Sequence, residues 1–262
     1  MKISEKFKEA EKEGRCALIA YVCAGDPNFE KSKEIVRILK KNADIIELGL
    51  PFSDPIADGP TIQQASERAL QNGMNTDVYF KFCGEVKDEN IPLVCMTYYN
   101  LLYQYGLEKF VEKCKANGIK GIIIPDLPVE ESDELLNLCS RYETDLIFLL
   151  AQTSTKDRLK KIVKNAGGFL YLISVLGVTG ARENLNIDPK FIENVKDVLK
   201  DTGKSVPLAI GFGISNPNHI NEIKDKVDGA IVGSAIINRT DDLKELENFV
   251  KELRKATKEK IK

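Results

Sequence analysis

Short, almost uninterrupted apolar runs recur along this chain and restrict its fold more than any other feature. Such runs are typical of parallel strands covered on both faces, because a strand with one solvated face would alternate apolar and polar residues. The eight runs are CALIAYVCAG (16–25), DIIELGL (44–50), IPLVCMTYY (91–99), GIIIPDLP (121–128), DLIFLLAQ (145–152), GFLYLISV (168–175), VPLAIGFG (206–213) and DGAIVGSAI (228–236). Between them lie amphipathic segments rich in lysine and glutamate, such as NFEKSKEIVRILKKN (28–42), with the periodicity of helices.

Eight strand–helix units in 262 residues predict an α/β fold, a (β/α)8 TIM barrel made by one domain, residues 1–262. A doubly wound sheet of about six strands accounts for the count less well. The polar opening segment MKISEKFKEAEKEGR predicts an extra N-terminal helix that covers the bottom of the barrel.

Two connections are longer than a single barrel loop and helix require. The first, residues 51–90 after strand 2, is expected to contain two helical pieces, TIQQASERALQNG and TDVYFKFCGEV. The second is SVLGVTGARENLNID (174–188), which follows strand 6 and has no helical periodicity before Pro189. Both follow the carboxyl ends of strands, where the active sites of barrel enzymes lie, so we expect both loops to be functional.

Charge and composition exclude several classes of partner. A net charge of −2 and a pI near 5.8 provide no basic field for nucleic acid or an anionic membrane. No apolar run approaches the roughly 20 residues of a membrane helix. The six cysteines form no C-x-x-C pair and no secretory segment opens the chain, which favours reduced thiols and a cytoplasmic location. The single histidine, His219, is expected on the surface in the first turn of a helix, so no metal site is predicted.

Two carboxylates are the best candidates for chemistry. The period-2 rule places Glu47 on the same side of the second strand as Ile45, and in the barrel interior its pKa would be raised by desolvation. A carboxyl group of that kind can donate and accept a proton near neutral pH. The alternative is a glutamate that faces the helices and pairs with a lysine. Asp58 lies on the loop that leaves this strand, where Asp before Gly is also ordinary turn chemistry.

Glycines after the last two strands indicate an anion site. GFGIS (211–215) ends the seventh strand and VGSAI (232–236) ends the eighth, and barrels often bind phosphate between these two loops. The candidate residues are Gly211, Gly213, Gly233 and Ser234. Apolar and aromatic residues at strand ends could hold a flat group: Tyr21, Met96, Tyr98, Leu149, Tyr171 and Phe212.

Other mechanisms lack their residues in this sequence. None of the 30 lysines falls inside the predicted strands, which disfavours a Schiff-base aldolase. One histidine cannot supply the imidazoles of a metal aldolase or a Ser–His or Cys–His nucleophile. Among the mechanisms considered, the sequence therefore favours acid–base catalysis by carboxylates on a phosphorylated substrate.

The stretch ELGLPFSDPIADGPTIQ closely resembles the signature of the tryptophan synthase alpha subunit family. The resemblance extends through AYVCAGDP, MTYYNLLYQYG, GIIIPDLPVEES, LGVTGARE, GFGIS and GAIVGSAI, which is almost the whole chain. It implies a (β/α)8 barrel without metal or organic cofactor that cleaves indole-3-glycerol phosphate to indole and glyceraldehyde 3-phosphate. GFGIS and GSAI alone also fit other phosphate-binding barrels.

The resemblance also implies roles for individual residues and a partner. Glu47 corresponds to the general acid–base and Asp58 to the carboxylate that binds the indole N–H. The phosphate ligands correspond to Gly180, Gly213, Gly233 and Ser234, beside Phe212, and the lid threonine corresponds to Thr179. The family passes indole to a beta subunit, which holds pyridoxal phosphate, in an α2β2 assembly.

Two alternatives stay open from the sequence. A different phosphate-binding isomerase or epimerase would share the glycines of the last two strands, but it would need a metal-binding set or a catalytic lysine at the strand ends. A subunit that mainly activates its partner would share the fold, although both carboxylates are present here.

Overall fold

Strands and helices alternate along residues 1–173, 188–211 and 213–258, which are the residues that this computed structural model describes. The described strands are β1 Ala17–Cys23, β2 Ile45–Gly49, β3 Leu93–Met96, β4 Ile119–Ile123, β5 Asp145–Ile147, β6 Leu149–Ala151, β7 Leu170–Ile173, β8 Leu208–Gly211 and β9 Gly229–Val232. The described helices are α1 Ile3–Lys12, α2 Phe29–Lys40, α3 Pro60–Gln71, α4 Thr76–Val86, α5 Tyr99–Tyr105, α6 Leu107–Ala116, α7 Asp133–Arg141, α8 Lys156–Asn165, α9 Pro189–Thr202, α10 Pro217–Ile223, α11 Ser234–Ile237 and α12 Leu243–Ala256.

The strands form one parallel sheet in the order β5-β4-β3-β2-β1-β9-β8-β7-β6. Its two end strands, β5 and β6, are the halves of the fifth predicted run and are separated only by Phe148. β5 pairs with β4, β6 pairs with β7, and the Tyr171 N–H donates a hydrogen bond to the Phe148 carbonyl at 3.0 Å. This run therefore joins the two ends of the sheet, and the predicted (β/α)8 barrel is confirmed.

The continuous apolar runs are buried as the parallel-sheet prediction requires. Every residue of β1, β2, β3, β8 and β9 is buried. One detail of the prediction was wrong, because β4 begins at Ile119, ahead of the predicted run, and so includes Lys120. Lys120 is the second residue of β4, at the amino end of the strand, whereas barrel active sites lie at the carboxyl ends. It therefore lies away from the face where a Schiff-base lysine would be needed.

The extra N-terminal helix closes the amino end of the barrel. Ile3, Phe7 and Ala10 of α1 are buried, and the Phe7 ring packs against Phe169, just before β7, with 5.7 Å between centroids. These contacts confirm the predicted position of this helix. The carboxyl end of the barrel is left for the loops that follow the strands.

The long connection after β2 contains the two predicted helices, α3 and α4. Pro60 occupies the first turn of α3, where its missing N–H costs nothing, and the Asn75 side chain caps α4 by accepting from two backbone N–H groups. Of the long connection after the sixth predicted strand, residues 174–187 lie outside the described residues. Its helix, α9, begins at Pro189, where the helical periodicity of the sequence begins.

The six cysteines are free, as their spacing predicted, and all six are buried. Of the helices in the described ranges, none combines the length and the apolar character needed to cross a membrane.

Candidate active site

Glu47 lies in the middle of β2 and faces the barrel interior. Its register partner on β1 is Tyr21, so the two side chains lie on the same face of the sheet. The Tyr21 ring extends over Gly49, where a Cβ would stand 2.4 Å from the tyrosine hydroxyl oxygen. Burial raises the pKa of Tyr171 on β7, three strands further around the barrel from β1, and the charge of Glu47 adds to that rise.

The environment of Glu47 disfavours its charged form. The residue is 1% exposed, and no hydrogen-bond partner for Oε2 occurs among the described residues. Burial is the main cause that raises the pKa of Glu47 to about 8, and the nearby charge of Asp58 adds to it. Near neutral pH, both the acid and the carboxylate are therefore populated, which is what a group that both donates and accepts a proton requires.

Asp58 lies on the loop after β2 and is held by Tyr98. The Tyr98 hydroxyl donates to Asp58 Oδ2 at 3.0 Å and accepts from the Ala57 N–H at 3.0 Å. Phe52, earlier in the same loop, packs on the Tyr98 ring with centroids 5.2 Å apart. Burial raises the pKa of Asp58, and the hydrogen bond from Tyr98 opposes that rise. Asp58 Oδ1 has no hydrogen-bond partner within the described ranges.

Four of the aromatic and apolar candidates, Tyr21, Met96, Leu149 and Tyr171, lie on the same face of the sheet as Glu47. Met96 is the register partner of Gly49, and Leu149 is the register partner of Tyr171, so these side chains share a face of the sheet. The Tyr171 hydroxyl occupies the position above Gly211, where a Cβ would lie 2.3 Å away. A bulkier residue at Gly211 would displace this ring from the interior.

The glycine candidates lie at the carboxyl ends of β8 and β9. Gly211 ends β8, and Gly213 follows with φ +82°, a conformation that residues with a Cβ rarely adopt. Gly233 follows β9 beside the Tyr21 ring, and Ser234 begins α11 with an exposed side chain. Three predicted site residues, Thr179, Gly180 and Phe212, lie outside the described residues.

The structure adds two features that spacing did not indicate. Tyr98 was predicted to contact substrate, but its link to Asp58 spans 40 positions of sequence and has no local signal. His219 was predicted on the surface, and this was wrong: it is in the first turn of α10 as expected, but only 3% exposed. Its neighbours Asn216 and Gly213 explain the burial, since each contacts one ring nitrogen.

No cluster of three or more His, Cys, Asp or Glu side chains in the described part of the chain is arranged to hold a metal ion.

Comparison with known proteins gives a consistent result across the whole length. Residues 7–262 match the family model described as tryptophan synthase alpha chain. The tryptophan synthase alpha chain of Methanosarcina barkeri is 49% identical over 263 residues, covering 100% of this chain and 97% of the relative. That of Methanocaldococcus jannaschii is 48% identical over 241 residues, covering 90% and 84%.

Solved structures agree with these relatives. A structure of Mycobacterium tuberculosis tryptophan synthase superimposes with a TM-score of 0.91 at 33% identity, covering 98% of both chains. The tryptophan synthase subunit alpha of Legionella pneumophila superimposes with a TM-score of 0.85 at 30% identity, covering 97% of both chains. The match of the family model to nearly the full chain, together with relatives at almost half identity, shows that this chain belongs to the tryptophan synthase alpha chain family.

Proposed function

We propose that this chain is a carbon–carbon lyase of tryptophan biosynthesis that cleaves indole-3-glycerol phosphate to indole and glyceraldehyde 3-phosphate. The observation that carries the proposal is Glu47, a buried carboxyl group with a pKa raised to about 8 and with Oε2 unpaired among the described residues. A protein interior does not keep such a group for stability, because an unpaired buried polar group costs free energy. Membership of the tryptophan synthase alpha chain family is the basis for proposing indole-3-glycerol phosphate as the substrate.

The carboxylates divide the reaction between them. The protonated Glu47 donates its proton to the ring carbon that bears the glycerol side chain, which produces an indolenium ion with positive charge on the ring nitrogen. Asp58, whose Oδ1 has no partner in the described ranges, stabilises that charge and accepts the N–H. The Tyr98 hydroxyl holds the other oxygen, so the carboxylate is oriented before substrate binds.

Bond cleavage then needs a base and no further reactant. The ionised Glu47 accepts the proton of the hydroxyl on the carbon attached to the ring. The electron pair of the breaking carbon–carbon bond neutralises the indolenium nitrogen, so indole leaves and the hydroxyl carbon becomes the aldehyde. One proton enters the ring carbon and one leaves the hydroxyl, which returns Glu47 to its starting form.

The remaining candidates have binding roles. Tyr21, Tyr171, Met96 and Leu149 share the interior face with Glu47 and offer an apolar slot for the flat indole ring. The backbone at Gly213 and Gly233 and the Ser234 hydroxyl are proposed to bind the phosphate, with Gly180, as in the family. We propose no metal or organic cofactor for this chain.

The partner is proposed to be a tryptophan synthase beta subunit in an α2β2 assembly in the cytoplasm. Two large apolar side chains are exposed on elements that follow β2 and β3: Ile56, 83% exposed, in the loop that carries Asp58, and Tyr103, 67% exposed, in α5. A partner that covers Ile56 would contact the Asp58 loop directly. This arrangement supports coupling between the two subunits and transfer of indole to the partner, which holds its own pyridoxal phosphate.

The test is release of indole from indole-3-glycerol phosphate by the purified chain, alone and during titration with beta subunit. We expect indole and glyceraldehyde 3-phosphate in equal amounts, and faster release as beta subunit is added. Absence of indole in both conditions would refute the proposed reaction. Indole release only at saturating beta subunit would instead support the alternative, a subunit that acts mainly as an activator.

A further inference from the structure

The loop after β8 is held by one buried imidazole. His219, on α10, lies with Nδ1 2.9 Å from the Gly213 carbonyl oxygen and 3.3 Å from the Ser215 backbone nitrogen. Its other ring nitrogen, Nε2, lies 3.2 Å from Asn216 Nδ2. The ring therefore contacts the loop at three positions, and the location of its proton decides which contacts are favourable.

The orientation of the Asn216 side chain is fixed by backbone N–H groups, independently of the imidazole ring. Asn216 caps α10, and its side-chain oxygen accepts from the N–H groups of Asn218 at 2.9 Å and His219 at 3.2 Å. A rotated amide would direct its NH2 group at these two donors, so the oxygen must face the helix. The NH2 group of Asn216 consequently faces Nε2, and this nitrogen must be an acceptor.

One protonation state of the ring makes more favourable contacts than the others. With the proton on Nδ1, the ring donates to the Gly213 carbonyl and accepts from Asn216, and only the longer Ser215 contact is lost. With the proton on Nε2, the Ser215 contact is made, but the Gly213 oxygen faces a lone pair and Asn216 faces another donor. The doubly protonated ring also meets Asn216 donor to donor. The neutral ring with its proton on Nδ1 makes the two best contacts.

The hydrogen bond from the imidazole orients the peptide that joins Gly213 and Ile214. In a trans peptide the C=O and N–H point in opposite directions, so a carbonyl held by the imidazole directs the Ile214 N–H away from it. Among the described residues, that N–H has no hydrogen-bond partner. Gly213 adopts φ +82°, a conformation that glycine reaches without the steric penalty of a Cβ.

We propose that His219, as the neutral tautomer with its proton on Nδ1, is a positioning residue that orients the Gly213–Ile214 peptide toward the substrate's phosphate group. The role rests on the proposed function, because the phosphate belongs to indole-3-glycerol phosphate. In the family, backbone groups bind the phosphate. His219 does not touch substrate in this proposal, and it acts on these backbone groups through the loop.

The tautomer can be read directly, because His219 is the single histidine of the chain. In a full-length protein labelled with ¹⁵N-histidine, a long-range ¹H–¹⁵N correlation spectrum at neutral pH should show Nδ1 as the N–H nitrogen and Nε2 as the unprotonated one. A proton on Nε2, or on both nitrogens, would overturn the assignment. This measurement does not depend on the substrate or the reaction.

The positioning role is tested by two variants of one residue. His219→Leu removes the donor to Gly213, and we expect KM for indole-3-glycerol phosphate and the inhibition constant of inorganic phosphate each to rise about fivefold, with kcat within about twofold. His219→Asn keeps an N–H donor at the position of Nδ1 and should return both constants to within about twofold of the parent. Circular dichroism confirms that both variants are folded.

Unchanged constants in a folded His219→Leu variant would refute the role, as would a loss confined to kcat. If the parent chain released no indole, the proposed function would fail, while the spectrum and the inorganic phosphate binding of the variants, followed by calorimetry, would still decide the inference.

Discussion

Asp44 and Glu47 are both buried carboxylates of the β2 region, and their surroundings are opposite. Asp44, just before β2, accepts from the Arg15 guanidinium at 2.7 and 2.9 Å and from the Leu18 N–H at 2.8 Å, and Arg254 lies 2.6 Å away. Glu47, three positions later, lacks a partner for Oε2 in the described part of the chain. Asp44 is 3% exposed and Glu47 is 1% exposed, so burial alone does not distinguish them.

The difference lies in where each carboxylate stands in the barrel. Asp44 is at the amino end, where Arg15 after α1 and Arg254 of α12 can reach it, and it ties both terminal segments to the barrel. Glu47 is further toward the carboxyl end, where its neighbours are tyrosines and a second carboxylate. A paired buried charge holds the fold together, whereas an unpaired one is available for chemistry.

The largest expected effect is loss of turnover in Glu47→Gln. Glutamine keeps the shape of the side chain but cannot transfer a proton, so we expect kcat to fall about 10³- to 10⁴-fold with KM within a few-fold. Indole release in steady state measures the effect. Glu34→Gln, at an exposed position of α2, is the matched control and should retain full activity. Near-normal turnover in Glu47→Gln would show that Glu47 is not the group that transfers protons.

The second expected effect is on stability and comes from Asp44→Asn. Without the carboxylate, the buried Arg15 guanidinium loses its main counter-charge, and the free energy of unfolding should fall by about 3 kcal/mol. Urea unfolding of the full chain measures the change. The folded fraction should keep kcat within about twofold. A large fall in kcat with unchanged stability would show that Asp44 acts in catalysis and not in stabilising the fold, which would contradict the proposed difference between Asp44 and Glu47.

The third effect concerns Asp58→Asn. Asparagine still accepts the hydrogen bond of Tyr98 but carries no charge to oppose the indolenium, so kcat should fall about 10²-fold. Asp54→Asn, on an exposed residue of the same loop, is the control for loop perturbation. If both variants lose activity equally, the loop and not the Asp58 charge is responsible.

The parent chain and the Glu47→Gln variant should differ in how their free energy of unfolding depends on pH. The pKa of Glu47 is raised from 4.5 in the unfolded chain to about 8, so the folded state favours the protonated form. The parent therefore loses stability relative to Glu47→Gln as pH rises from about 4.5 to 8, by about 2.5 kcal/mol between pH 5 and 7. Urea unfolding of both proteins at several pH values measures this difference. A constant difference across this range would contradict the raised pKa.

The smallest expected effect is that of Tyr98→Phe. The variant loses the hydroxyl that joins Ala57 to Asp58, so kcat/KM should fall about fivefold. The hydrogen bond that lowers the pKa of Asp58 is also lost, so the acid limb of the pH profile should move to higher pH. Tyr103→Phe, at an exposed position of α5, should change neither quantity in the isolated chain.

Much of the fold was predictable because buried parallel strands leave a strong pattern. The runs that contain Glu47 and Tyr171, and the two helices between β2 and β3, could be identified from local residues alone. The fifth run was predicted as one strand, and its division at Phe148 was not visible, because the change of pairing partner depends on barrel closure. The prediction of one domain over residues 1–262, and the roles of the individual site residues, stay predictions.

The sequence by itself determined the alternation of strands and helices and the places of the two carboxylates, one in the second strand and one on the loop after it, because these follow from hydrophobic periodicity and from motifs of neighbouring residues. The tertiary structure decided which carboxylate is paired. The partners of Asp44 come from positions 15, 18 and 254, and the hydroxyl that holds Asp58 comes from position 98. The burial of His219 was likewise decided by the loop after β8. Such contacts join distant parts of the chain, so only the folded barrel brings these partners together.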